Sequence, residues 1–262
     1  MSSSSSFAFL EAAGAARGAE SDAVGAVQDY LARFGYMRPA TVGEFSAARF
    51  DDPTAQALRL YQSFHDLPVT GEIDEATLAE MSKPRCGFPD LPDVAEFELE
   101  GRKWDRTALT YRIVNLTPDL SYDEVRAAMR FALDLWEAAS ALTFTQVDGA
   151  ADIEISFVSG DHGDGNNFDG PGRVLAHAYY PPPNGGALAG DAHFDEDETW
   201  SVTIPVPAGR FDLHSVAAHE FGHSIGLAHS RVRGALMFPT YSGPQRFLHQ
   251  DDIDGVRALY GP

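Results

Sequence analysis

Cysteine is almost missing from this chain of 262 residues: Cys86 stands alone, so no internal disulfide is possible. Positive charge is scarce too, with 19 Lys and Arg against 39 Asp and Glu and a formal net charge of -20. That balance argues against nucleic acid or an anionic membrane as partner. It suits a protein that holds several hard cations, although acidic surfaces also serve solubility alone. No apolar run approaches bilayer-spanning length, so no transmembrane anchor is expected. A basic leader is lacking: Met1 to Ser6, then Phe7-Ala8-Phe9-Leu10 broken by Glu11, makes a poor secretory signal.

What is present divides the chain. Hydrophobic residues make up 44%, enough for a core in one large domain or two modest ones. Residues 1–21 are rich in Ser, Ala and Gly and are expected to be disordered. Residues 22–82 read as three helices. Val24, Val27, Leu31 and Phe34 recur at helical spacing, then Gly35 ends the turn. Thr54 to His65 repeats the pattern through Ala57, Leu58, Tyr61 and Phe64, and Asp74 is placed to cap a helix running to Met81. Residues 83–103 form a proline-containing linker. From Trp104 onward strands and helices mix: strands at 109–114, 142–147, 153–158 and 176–180, and a long helix opened by the capping box Ser121-Tyr122-Asp123-Glu124. Further helices are expected from about Asp212 and from Asp251 to Leu259. The fold class is α+β, a twisted mixed sheet with three helices behind a small helical unit.

The densest chemistry lies at 219–229, which reads H-E-x-x-H-x-x-G-x-x-H. His219 and His223 are four apart, so on a helix both imidazoles face one way. Gly226 lets the chain leave the helix sharply, and His229 then supplies a third nitrogen. Three neutral nitrogens with one open position suit a catalytic zinc. Glu220 stands beside the metal as the general base of a hydrolase, and Met237 follows. The extended spacing makes chance unlikely and matches the metzincin pattern.

Upstream, His162 and Asp164 lie two apart on a loop, and His177 and His193 follow at strand-like positions. Three histidines and a carboxylate suit structural zinc. Phe168-Asp169-Gly170-Pro171-Gly172-Arg173-Val174 offers carboxylates and carbonyls around turning glycines, as a calcium loop does. His65, His214 and His249 are expected to have no special role.

Pro84-Arg85-Cys86-Gly87-Phe88-Pro89-Asp90 resembles the cysteine-switch segment of matrix metalloproteinases. Ala235 through Tyr241 and Asp251-Asp252-Ile253-Asp254-Gly255 are similar to the same family. Leu67-Pro68-Val69-Thr70-Gly71 followed by Asp74 to Leu78 resembles the peptidoglycan-binding-like domain. The resemblance runs from Val24 to Gly261, in a minimal, matrilysin-like layout of prodomain and catalytic domain at 104–262.

That resemblance implies a secreted zinc endopeptidase made as a latent zymogen and acting as a monomer on extracellular proteins or peptides. Its own prodomain is the inhibitor, with Cys86 on the catalytic zinc and an Arg85–Asp90 salt bridge shaping the switch. The implied calcium ligands are Asp169, Gly170, Gly172, Val174, Asp195 and Glu198. A second calcium would use Asp152, Ala187, Ala189 and Asp191, although family glycines are replaced by alanine at 187 and 189. The loops 177–193 and 200–219 are longer than the family's, and maturation is expected near Phe97.

Substrate is expected to extend along the edge strand at Leu175 and Ala176. The pocket wall would be Pro239, Thr240 and Tyr241, with Ser215 small enough to leave it open. Three other readings of the same residues compete, one of them a non-catalytic relative, which the full set of ligands disfavours. A cell-wall binding module would have no need of Glu220. A zinc amidase acting on cell-wall peptides would lack the Cys86 segment and Met237.

Overall fold

The computed structural model describes residues 8–91 and 103–262. The expected maturation segment, Val94-Ala95-Glu96-Phe97, lies outside them. The described residues fall into two compact units, 8–83 with 89–91 and 84–88 with 103–262. No helix among them is long and apolar enough to cross a membrane.

The first unit is helical. Helix α1 (Asp22–Arg33) is capped by Ser21, α3 (Asp52–Phe64) by Asp51 and α4 (Glu75–Met81) by Asp74. Each cap side chain accepts a hydrogen bond from a backbone N–H of the first turn, satisfying a donor that the helix itself leaves open. A short turn of helix, α2 (Pro39–Val42), adds to the three expected helices. Val24, Val27, Leu31, Leu58 and Tyr61 are fully buried between them. Residues 8–21 depart from the disorder expected of their composition: a 3-10 turn at Ala8–Ala12 buries Phe9, whose ring meets Tyr30 edge-on at 5.8 Å. The aromatic contact supplies what the Ser- and Ala-rich pattern hides.

The second unit carries a mixed sheet. Strand β1 is Arg85–Cys86, β2 is Ala108–Ile113, β3 is Thr143–Gln146, β4 is Ile153–Val158, β5 is Val174–Ala178 and β6 is Ala192–Asp195. Their order is β1-β5-β6-β4-β2-β3, and only β5 and β6 pair antiparallel. Helix α5 (Tyr122–Ala139) opens with the expected capping box at Ser121 and Glu124. It packs on α6 (Leu213–Ser224). Trp136 is wholly buried there and donates its Nε1–H to the Ala218 carbonyl at 2.9 Å. Truncating such a side chain costs about 3–5 kcal/mol. Trp104 ties the far end of α6 in the same way, Nε1 to the Ser224 carbonyl at 2.9 Å. A two-stranded ribbon, β7 (Trp200–Ser201) with β8 (Phe211–Asp212), leads into α6, and α7 (Gln250–Tyr260) ends the chain.

Candidate active site

Helix α6 starts at Asp212, whose carboxylate accepts from Ser215 N at 3.1 Å, and it stops after Ser224. Gly226, at φ 104, is what allows the stop: few side chains tolerate that backbone. The chain turns there, and His229 comes back toward His219 and His223. The Nε2 atoms of His219 and His229 are 3.2 Å apart, those of His223 and His229 3.1 Å. The opposite nitrogens face carbonyls: His219 Nδ1 is 2.7 Å from the Leu236 oxygen and His223 Nδ1 is 2.7 Å from the Leu227 oxygen. A carbonyl only accepts, so each Nδ1 carries the proton and each Nε2 turns a lone pair inward. Three convergent imidazole nitrogens in a buried place, two of them fixed as acceptors by these carbonyls, could hold a divalent cation.

Cys86 completes that group, its sulfur within 4.8 Å of the three nitrogens. Its Sγ–H donates to Glu220 Oε2 at 3.5 Å. Burial, with the Glu220 charge beside it, pushes the Cys86 thiol well up. Burial likewise pushes the Glu220 carboxyl up, to about 8, against the lowering effect of the thiol bond. Strand β1 holds Cys86 in place through Arg85 N to the Arg173 oxygen at 2.7 Å, Gly87 N to the Ala176 oxygen at 2.8 Å and Cys86 N to the Pro239 oxygen at 3.0 Å. It thus covers the exposed edge of β5, including Leu175 and Ala176.

Met237 is buried, its side chain packed against α6 at Gly222. Gly222, in mid-helix, leaves room for it: a Cβ there would stand 2.2 Å from the Met237 sulfur. The turn carrying Met237 is held by Asp252, which accepts from Leu236 N at 2.8 Å, Met237 N at 3.0 Å and His249 N at 2.8 Å.

A second cluster gathers His162, Asp164, His177 and His193. Asp164 Oδ2 is 2.7 Å from His162 Nε2, 2.8 Å from His177 Nε2 and 2.9 Å from His193 Nδ1. Burial works against the Asp164 charge, but hydrogen bonds from His177, Asn166 N and Tyr179 outweigh it and hold the carboxyl far below its usual range. Burial and the neighbouring His177 bring His193 down to about 4, so it is a neutral donor at physiological pH.

Nearby, Asp169 Oδ1 accepts from Val174 N at 3.2 Å and Glu198 Oε1 from Gly172 N at 2.5 Å. Asp195 Oδ2 is buried without a hydrogen-bond partner. Burial and the surrounding acids push Asp195 up to about 6 and Glu198 to about 7. Unbalanced negative charge of this kind fits a hard cation. Asp152 differs. It accepts from Thr110 N at 2.8 Å and pairs with Arg106, while Asp191 accepts from Glu154 N at 3.0 Å. Ala187 sits in a 3-10 turn, Gly186–Leu188, and Ala189 follows it.

A cavity of about 360 Å³ opens beside His219 and Glu220, lined among others by Ser215, Val216, Leu236, Pro239, Thr240 and Tyr241. Leu175 also lines it, whereas Ala176 does not. Ser215 does more than leave space: it donates to Asp212 Oδ2 at 2.6 Å and accepts from Gln245 N at 2.7 Å. Arg246 pairs with Asp212 and donates to the Val202 carbonyl at 2.9 Å.

Sequence reasoning missed Asp212, Arg246, Asp252 and Tyr179. Only the helix-start positions of the two aspartates gave a local signal. Nor are the three remaining histidines idle. His249 caps α7, His214 faces Phe131 edge-on at 5.1 Å, and His65 is buried with Nε2 3.3 Å from Asp90.

Residues 103–261 match the matrixin peptidase family, and residues 20–81 match the putative peptidoglycan binding domain. The chain belongs to the matrixin family, which implies a zinc protein. It is 50% identical to the interstitial collagenase of Equus caballus over 241 residues, covering 90% of this chain and 49% of that protein. The neutrophil collagenase of Homo sapiens is 47% identical over 241 residues, with the same coverage. The interstitial collagenase of Sus scrofa is 52% identical over 212 residues, 79% of this chain and 43% of its own. The chain thus spans about half the length of the curated relatives it matches.

Proposed function

We propose that this chain is a latent zinc endopeptidase that cleaves extracellular proteins. The observation that carries the reading is the convergence of three Nε2 atoms beside a buried carboxylate that a thiol covers. His219, His223 and His229 hold the zinc, with Cys86 as fourth ligand in the uncut chain. When bound, zinc supplies a Lewis acid that acidifies a neighbouring water. Glu220 Oε2 accepts the proton of the attacking water and passes it to the leaving amine nitrogen. The Leu236 and Leu227 carbonyls fix the ring tautomers, and Met237 supports the rings from below.

The substrate backbone adds to the edge of β5, where β1 lies in the latent chain. The side chain after the cut enters the cavity above Ser215, which suits Leu, Met or an aromatic residue. Pro84 and Arg85 run along the cavity wall, with Tyr241 N donating to the Pro84 oxygen at 2.8 Å and Arg85 bridged to Thr240. The residues of the switch that precede Cys86 therefore lie on the side a substrate gives to residues following its cut. The two chains run in opposite directions, so the switch fills the cleft without offering a bond for cleavage.

His162, Asp164, His177 and His193 hold a structural zinc. Asp169, Gly170, Gly172, Val174, Asp195 and Glu198 hold calcium. A second calcium at Asp152, Ala187, Ala189 and Asp191 would have to compete with Arg106 for Asp152, as the first competes with Arg173 for Asp169. The protein is read as secreted and monomeric.

The test is hydrolysis of quenched peptides after limited proteolysis, with wild type and Glu220→Ala and with and without a zinc chelator. Cleavage by wild type alone, lost on chelation, is expected. Equal cleavage by Glu220→Ala would reject the mechanism.

A further inference from the structure

Phe88, two residues past Cys86, occupies a place that the reading above does not use. Its ring stacks on His223 with centroids 4.4 Å apart and planes at 22°. It meets Tyr180 edge-on at 4.7 Å, and His229 edge-on at 6.0 Å. Three rings around a fourth make an aromatic shelf. Gly87 permits the approach: a Cβ on it would stand 2.7 Å from Val174 Cγ1, so a side chain there would force Val174 or the switch backbone to move.

The shelf is on the opposite side of Cys86 from the Ser215 cavity, because Pro84 and Arg85 run along the cavity wall while Phe88 lies beyond the sulfur. A strand added to β5 with its scissile bond at the metal therefore reaches both, one with a side chain after the cut and the other with a side chain before it. Stacked and edge-on ring contacts stabilise beyond their buried area, so the shelf selects for aromatic character rather than bulk alone.

Resting on the peptidase reading, the geometry points to the surface formed by Tyr180, His223 and His229 as a subsite for an aromatic side chain of the substrate, amino-terminal to the cleaved bond. Phe88 fills that subsite from within until the prodomain leaves.

Two measurements decide it. The full chain, matured in place by limited proteolysis, is given quenched peptides with Leu after the cut and Phe, Tyr, Leu or Ala at each of three positions before it. At one position Phe and Tyr raise kcat/KM about five- to tenfold over Ala. Tyr180→Leu collapses that ratio and Tyr180→Phe keeps it. In the uncut chain, iodoacetamide alkylates Cys86 about fivefold faster in Phe88→Ala than in wild type or Phe88→Tyr. Equal kcat/KM across the series, or an alkylation rate that Phe88→Ala leaves unchanged, overturns the subsite. If no peptide in the series is cleaved, the peptidase reading fails and takes the subsite with it.

Discussion

The thiol of Cys86 donates a hydrogen bond to Glu220 Oε2 across 3.5 Å. One side chain thus stands at the fourth ligand position and also covers the carboxylate oxygen proposed to move protons. Removing it frees both. Cys86→Ser in the uncut chain is therefore expected to show peptide hydrolysis well above the uncut wild type, read by continuous fluorescence. Hydrolysis by uncut wild type as fast as by the serine variant would end the latency proposal.

Glu220→Gln keeps the shape of the side chain and removes its basicity. A positioned general base contributes about 10²- to 10⁴-fold, so kcat in the matured form should fall by that much. Bound zinc, measured by elemental analysis, should be unchanged because Glu220 is not a ligand. A variant that loses metal and activity together would instead make Glu220 structural.

Asp252 accepts three backbone N–H groups from two segments, and burial pushes its carboxyl up. Asp252→Ala leaves those donors without an acceptor, at a cost of about 3–5 kcal/mol. Urea unfolding should show this loss. Zinc affinity should weaken about tenfold or more, because the Leu236 carbonyl that orients His219 sits in the released turn.

Asp195 and Glu198 hold their protons more tightly in the folded chain than the roughly 4 of free carboxyls. Without calcium, the stability this contributes is fully present below about pH 4 and is lost as pH rises through about 6 and 7. Calcium binds the ionised pair and offsets the loss. Thermal melts in chelator should show Tm falling from pH 5 to pH 8, and the gap between calcium and chelator should widen over that range. A gap that narrows with rising pH would remove calcium from these residues.

Much of this site was legible because its spacing is local. His219, Glu220 and His223 share one helical turn, and Gly226 must break the helix, so four letters fix a geometry. His162, His177 and His193 come from a loop and two strands, and nothing local brings them together; the donor set of three histidines and Asp164 hinted at it, and the family resemblance implied it. Phe88 was read as one letter of the switch, since stacking on His223 depends on how β1 docks. Asp212 and Asp252 were hidden for another reason. An acid at a helix start already has an explanation as a cap, and their further ties to Arg246 and to the Met237 turn cross 34 and 15 residues. The pairing of Asp152 with Arg106, across 46 residues, had no local signal either.

The clearance at Gly222 reaches beyond packing. A methyl group there would overlap the Met237 sulfur and crowd the indole of Trp136, at 3.1 Å. Alanine, harmless in most helices, would lever the lower turn away from α6 and shift the Leu236 oxygen that steers the His219 ring. Position 222 thus acts as a spacer gauge between the metal helix and its floor. A larger residue at 222 therefore calls for a smaller or displaced one at 237, which couples the two positions.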